Sequence, residues 1–281
     1  MSQPASRRPL PYFEELARLL DARHPAIRTA FGRHVHWGYW PYPKQAGTGA
    51  EEFARAAEAL SLELFGAAGL SDGQRILDAG CGFGGTLQLI GERYRDVRLT
   101  GLNIDHAQLL RAGVAARDAV TDCRWVQGDA CRLPLPDRCF DRILAVECIF
   151  HFPDRRAFFR EAYRTLVPGG RLALSDFVPV PLLRPVTALA ARRPARMGFY
   201  GACDFTYSLA DYRRLARETG FRVAIERDIT RHTLPTYTFL RTLAPMLGTR
   251  PWAAVAETLS AEIASRTGLL RYLLLAFDKP G

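Results

Sequence analysis

Lysine is nearly missing from this chain: Lys44 and Lys279 are the only two among its 38 basic residues. The remaining basic charge is arginine, spread along the sequence and never interleaved with aromatics in one tract. A net charge of +9 permits an anionic partner, yet this dispersion argues against a nucleic-acid partner. Long apolar runs are also lacking. None approaches the roughly 18 residues of a membrane span, and Met1 to Pro9 has no apolar signal-peptide core. The expectation is a cytoplasmic protein with no membrane partner. The six cysteines, at 81, 123, 131, 139, 148 and 203, form no C-x-x-C pair and no Cys/His run at zinc spacing. A disulfide framework is therefore excluded, and no metal is expected. Repeats and low-complexity tracts are absent too.

What is present is one long chain able to bury a generous core. With 281 residues and 48% hydrophobic content, it reads as a single large α/β unit with additions. Its centre is Arg75-Ile-Leu-Asp-Ala-Gly-Cys-Gly-Phe-Gly-Gly-Thr86. A short apolar strand breaks there into alternating glycines and then becomes helical from Thr86. Gly80, Gly82 and Gly84 let the chain turn tightly and let a ligand lie on the main chain at a helix N-terminus. Gly80, Gly82 and Gly85 also satisfy G-x-G-x-x-G, so a dinucleotide and a phosphate-free nucleoside both remain open on the glycines alone. Asp78 discriminates. A carboxylate at the strand end can accept from a cationic amine but repels a pyrophosphate.

Leu77-Asp-Ala-Gly-Cys-Gly-Phe-Gly84, Gly128-Asp-Ala130, Leu133-Pro-Leu-Pro-Asp137 and Phe140-Asp141 follow one another at the spacing of the class I S-adenosylmethionine-dependent methyltransferases, which this sequence resembles. The resemblance implies S-adenosyl-L-methionine as cofactor and a Rossmann-like, seven-stranded, mostly parallel sheet with helices on both faces. An N-terminal helical lid and a helical cap would complete the α/β fold. It assigns Asp78, Gly80, Gly82 and Gly84 to the methionine end. Asp129, with Ala130, falls to the adenine, although Asp129 also suits a turn cap. Asn103 stands where a Rossmann strand places its ribose-binding acid. With Gln108 it is expected at the ribose or the methionine moiety.

The expected layout is a lid and aromatic loop over residues 1–66 and a cofactor-binding core over 67–281, with cap insertions at about 178–207 and 230–267. Helical spacing predicts a lid helix over 12–22. His34-Val-His-Trp-Gly-Tyr-Trp-Pro-Tyr-Pro43 is too rich in aromatics, Gly and Pro for regular structure. Its Trp37, Tyr39 and Trp40 either plug the lid against the core or lie against the cationic sulfonium. An H-x-G-Y-W segment of this kind precedes the cofactor domain in macrolide-sugar and rebeccamycin-type sugar O-methyltransferases, which the chain also resembles.

Strand four, Phe140 to Val146, opens into Glu147-Cys-Ile-Phe-His151. In an open parallel sheet the carboxyl ends of strands meet the ligand. Glu147 and His151 should therefore face a small-molecule acceptor. His151 is the candidate base because its reference pKa lies near neutrality. Asp176 or Glu147 would orient it. The leading expectation is O-methylation of a sugar or polyketide hydroxyl. Two alternatives stay open: C-methylation of an isoprenoid diphosphate, using Glu147 beside a cation and Arg184, Arg192, Arg193 and Arg196 near the diphosphate, and a cofactor-binding module without catalysis. Methylation of a flipped base is disfavoured, because Ala145-Val-Glu-Cys148 is not an Asp/Asn-Pro-Pro-aromatic motif.

Overall fold

The computed structural model describes residues 10–116, 123–183, 198–248 and 251–281. Seven strands form one sheet: β1 Arg75–Ala79, β2 Arg98–Asn103, β3 Cys123–Gln127, β4 Phe140–Val146, β5 Leu166–Pro179, β6 Arg222–Asp228 and β7 Leu270–Asp278. Their order is β3-β2-β1-β4-β5-β7-β6. β7 runs antiparallel to both of its neighbours, and the other pairings are parallel. The chain order reverses between β1 and β4, which opens a crevice beyond their carboxyl ends. Asp78 of β1 sits level with Leu144 of β4 and Gly101 of β2, so the ends of these strands share one rim.

Period-2 alternation places the sheet between two apolar layers. Leu77, Ile143, Leu172 and Leu275 face one layer with α6 (Arg155–Thr165) and α7 (Leu209–Thr219). Ile76, Leu144, Ala173 and Leu274 face the other with α3 (Ala50–Ala68), α4 (Gly85–Arg93) and α5 (His106–Ala115). A third cluster lies above the rim. It joins α1 (Pro11–Asp21) and α2 (Pro25–Phe31) to α8 (Thr230–Leu243) through Leu16, Phe31, Phe53 of α3 and Phe239. A ninth helix, α9 (Pro251–Arg266), packs on α8 and β7. None of the helices among the described residues is long and apolar enough to cross a membrane.

The seven strands fall where the sequence places them, except that β5, expected over Arg171–Phe177 after a turn at Pro168-Gly-Gly170, runs from Leu166 to Pro179. β5 pairs with β7 as far as Pro179 opposite Leu270, so Val178 and Pro179 continue the strand where a cap was expected. The middle of that expected cap, residues 184–197, lies outside the described residues. Residues 198–207 run beside the end of β4, held by the Asp204 amide on the Phe150 carbonyl at 2.8 Å.

Gly101 fixes the spacing between β2 and its cover. A Cβ there would stand 2.6 Å from the Trp125 ring and 2.9 Å from Leu87 Cδ1. Gly101→Val should therefore lower stability by about 1–3 kcal/mol through overpacking. A fall in the chemical-denaturation midpoint at unchanged slope checks this.

Candidate active site

The glycine turn after β1 is held from within. Gly80 N–H and Cys81 N–H both donate to the Leu102 carbonyl, at 2.7 and 3.0 Å, and Gly84 N–H donates to Cys81 at 2.8 Å. These amides are spent on the turn, so Gly80 and its neighbours offer a ligand space more than donors. Gly80 has φ +83°, and a Cβ there would lie 2.8 Å from Cys148 Cβ. Glycine is thus required on both conformational and steric grounds. Gly82, at φ +53°, faces the Phe13 ring of α1. Gly84 does not line the cleft, contrary to the expectation from sequence. Its missing Cβ makes room for Trp125, 2.5 Å from where that atom would be, so Gly84 serves packing.

The cleft beyond these strand ends is lined by Asp78, Gly80, Gly82, Asn103, Gln108, Asp129 and Ala130, and roofed by Tyr12, Phe13 and His34. Asp78 is 1% exposed, and its Oδ1 has no hydrogen-bond partner among the described residues. Burial raises this carboxyl to about 7. An orphaned carboxylate beside a glycine turn fits a cationic amine, whose charge would restore the ionised form. Asn103, Asp105 and Gln108 close a ring of side-chain bonds. Asn103 Nδ2 donates to Gln108 Oε1 at 2.9 Å, Gln108 Nε2 donates to Asp105 Oδ2 at 3.2 Å, and Asn103 Oδ1 accepts the Asp105 amide at 3.1 Å. Asp129 Oδ1 caps its own turn by accepting the Cys131 amide at 2.8 Å, and the side chain also lines the cleft.

A second cavity of about 690 Å³ opens beside the first. The two share Tyr12, Val35, His36, Glu147 and His151. His151 Nδ1 lies 3.4 Å from the Ala202 carbonyl and 3.8 Å from the Cys203 thiol, and the carbonyl, which can only accept, favours the proton on this nitrogen. Nε2 presents its lone pair toward the Tyr12 hydroxyl at 3.4 Å. Removal from bulk water lowers the imidazole to about 4, opposed by the Ala202 carbonyl. It is neutral near pH 7. Glu147 adopts φ +47°, a left-handed conformation that a non-glycine residue holds only under constraint. Its Oε1 accepts the Trp37 amide at 3.0 Å and the Tyr272 hydroxyl, and burial raises the carboxyl to about 8.

Three sequence expectations are corrected by this geometry. Asp176 does not orient His151: it is fully buried and bonded to Arg155 at 2.6 Å and to the Tyr212 hydroxyl at 2.5 Å. Glu147 makes no hydrogen bond to the imidazole either. Its contacts are the lid amide of Trp37 and Tyr272. Tyr39 and Trp40 line neither cavity. Tyr39 stacks on His232 with ring centroids 4.6 Å apart, and Trp40 donates from Nε1 to Thr236 at 3.3 Å. Both plug the lid against α8, and of the three aromatics only Trp37 reaches the second cavity. Arg184, Arg192, Arg193 and Arg196 lie outside the described residues. Sequence reasoning missed Tyr12 and His34. Tyr12 read only as an apolar position of a lid helix, and His34 only as part of an irregular stretch. No group of three metal-ligating side chains occurs among the described residues.

Fold and cleft together define a doubly wound protein with a ligand cleft at its switch point. A methyltransferase-domain model matches residues 77–174. Among relatives, 27-O-demethylrifamycin SV methyltransferase of Amycolatopsis mediterranei is 35% identical, covering 80% of this chain and 79% of its own. Erythromycin 3''-O-methyltransferase of Saccharopolyspora erythraea is 31% identical over 78% of this chain and 69% of its own. The structure of geranyl diphosphate C-methyltransferase from Streptomyces coelicolor superposes with a TM-score of 0.72 at 22% identity, over 99% of this chain and all of the other, and shows the shared fold. The chain belongs to the S-adenosylmethionine-dependent methyltransferases, with the Rossmann-like fold of their class I.

Asp78 carries a sign that can be measured. Its carboxyl holds a proton below about 7 in the free protein, and a cationic ligand amine favours the ionised form, so binding releases a proton below that pH. Affinity for S-adenosylhomocysteine should rise from pH 5.5 to 7, by up to about ten-fold per pH unit. Calorimetry in buffers of different ionisation enthalpy checks this, and Asp78→Asn should bind weakly with the pH dependence flattened.

Proposed function

We propose that this methyltransferase acts on a hydroxyl of a small natural product, a sugar or a polyketide, with His151 as the general base. The observation that carries the reading is the junction of the two cavities. His151 stands in both, neutral, with its Nε2 lone pair directed at the Tyr12 hydroxyl.

S-adenosylmethionine, when bound, supplies an electrophilic methyl group on a sulfonium. Asp78 would hold its amine. Asn103 and Gln108 would meet the ribose or methionine moiety, and Asp129 with Ala130 the adenine. The chain's own part in the chemistry is positioning and removal of a proton. Nε2 of His151 takes the proton of the acceptor hydroxyl as that oxygen gains the methyl group, and Nδ1 keeps its bond to Ala202. Tyr12 and Phe13 of α1 roof the junction and exclude water. The relatives that methylate rifamycin and erythromycin precursors support a hydroxyl acceptor.

C-methylation of an isoprenoid draws support from Glu147, held under strain at the same junction. Its carboxyl, raised to about 8, keeps its proton at neutral pH and offers little resting charge to a cation. The hydroxyl reading is therefore preferred.

His151→Ala should lower turnover roughly hundred-fold or more while leaving S-adenosylhomocysteine affinity within about two-fold, as expected for a lost general base. Full activity in that variant would remove His151 from the mechanism. Because the folded imidazole titrates at about 4, turnover at saturating cofactor should hold from pH 7.5 to 5.5 and fall only toward pH 4. An acid limb centred near 6.5 would contradict the assignment.

A further inference from the structure

We infer that the acceptor is a molecule with a broad apolar body that brings one reacting hydroxyl to His151, and that it is not a free sugar. This rests on the hydroxyl-methylation reading of the same junction. At about 690 Å³ the second cavity encloses a whole drug-sized body. Its walls are predominantly aromatic and aliphatic, with Phe31, Phe53, Phe150, Phe177 and Phe205 contributed from five separate segments.

Most polar side chains in those walls already bond within the protein. Thr236 Oγ1 accepts the Gly38 amide and the Trp40 indole, at 3.2 and 3.3 Å. Thr258 donates to the Ala254 carbonyl at 2.7 Å, so the Tyr200 hydroxyl, 2.7 Å away, donates to Thr258. The Glu257 carboxylate receives the amides of Phe199 and Tyr200 at 2.9 and 3.3 Å. Glu15 receives the Gly248 amide at 2.6 Å and the Arg18 guanidinium. Arg241 is the one cation lining the cavity among the described residues, and it is paired with Glu262.

Away from the junction, then, the described walls offer few free polar groups to a hydroxyl-rich ring. Each hydroxyl buried there without a partner would weaken binding by roughly ten-fold. A single hydroxyl at the His151 end loses nothing comparable, since Nε2 and Tyr12 meet it.

Two apolar alcohols and one sugar test this on the full chain saturated with S-adenosylhomocysteine, so that binding is read without turnover. Calorimetry should show estradiol and geraniol each binding at least hundred-fold more tightly than methyl glucoside. Leu240→Arg, which puts a cation and bulk into the cavity, should abolish estradiol binding and leave S-adenosylhomocysteine affinity unchanged. If that variant does not fold, Ala261→Leu should weaken estradiol by reducing the volume. Methyl glucoside binding as tightly as either alcohol, or no binding by either alcohol, would overturn the inference. Methyl transfer is read separately with S-adenosylmethionine. An alcohol that binds but is never methylated would sink the hydroxyl-methylation reading and leave the shape of the acceptor standing.

Discussion

One buried ion pair ties together the parts of the protein that carry the acceptor side of the site. Arg155 and Asp176 are 1% and 0% exposed, a position in which neither charge is tolerable without the other. Nη1 of Arg155 donates to Asp176 at 2.6 Å and to the Tyr212 hydroxyl at 2.5 Å, and Nη2 donates to the Asp204 carbonyl. The guanidinium also lies 4.7 Å from the centre of the Tyr207 ring. One side chain thus joins the start of α6, the end of β5, α7 and the segment at 202–207. Breaking such a pair from one side costs about 3–5 kcal/mol, so this arrangement is held firmly. Its consequence reaches His151, because the Ala202 carbonyl that fixes the imidazole belongs to the segment pinned at Asp204.

The acids at the strand ends accordingly do different work, though the sheet presents them along one rim. Asp78 is left without a partner at Oδ1 and tuned upward by burial, which is unfavourable for the free protein and useful only when a cation arrives. Asp129 spends one oxygen on its own turn. Glu147 holds the lid, through the Trp37 amide, against β7, through Tyr272. Asp176 is structural. The rule that ligands meet the carboxyl ends of parallel strands selects all four positions, but only the partners of each carboxylate separate ligand contact from scaffold.

This explains how far the sequence could be read. The seven strands and the cleft residues Asp78, Gly80, Gly82, Asn103, Gln108, Asp129 and Ala130 were legible, because each is set locally by periodicity, by a glycine turn or by its place at a strand end. Gly84 was misread because a missing Cβ looks the same whether a ligand or Trp125 fills the space. Tyr39 and Trp40 were misread for a related reason: composition shows that an aromatic loop must be buried, but not against what. Their partners, His232 and Thr236, lie almost 200 residues away. His151 was singled out as the candidate base, while its Ala202 and Tyr12 contacts depend on two elements that the sequence does not visibly join.

The same geometry shapes the energetics of the junction. With His151 lowered to about 4, Glu147 raised to about 8 and Asp78 raised to about 7, burial drives each group toward its neutral form before any ligand enters. A junction of low charge and low polarity suits methyl transfer from a sulfonium, since positive charge is dispersed as the new bond forms. It suits a charged acceptor poorly, because the walls would have to replace the water such an acceptor loses. The ion pair that could have supplied charge, Arg155 with Asp176, neutralises itself one layer away and contributes only position. The neutral junction and the apolar second cavity are thus two results of a single arrangement, in which the protein's strongest charges are spent on holding the frame.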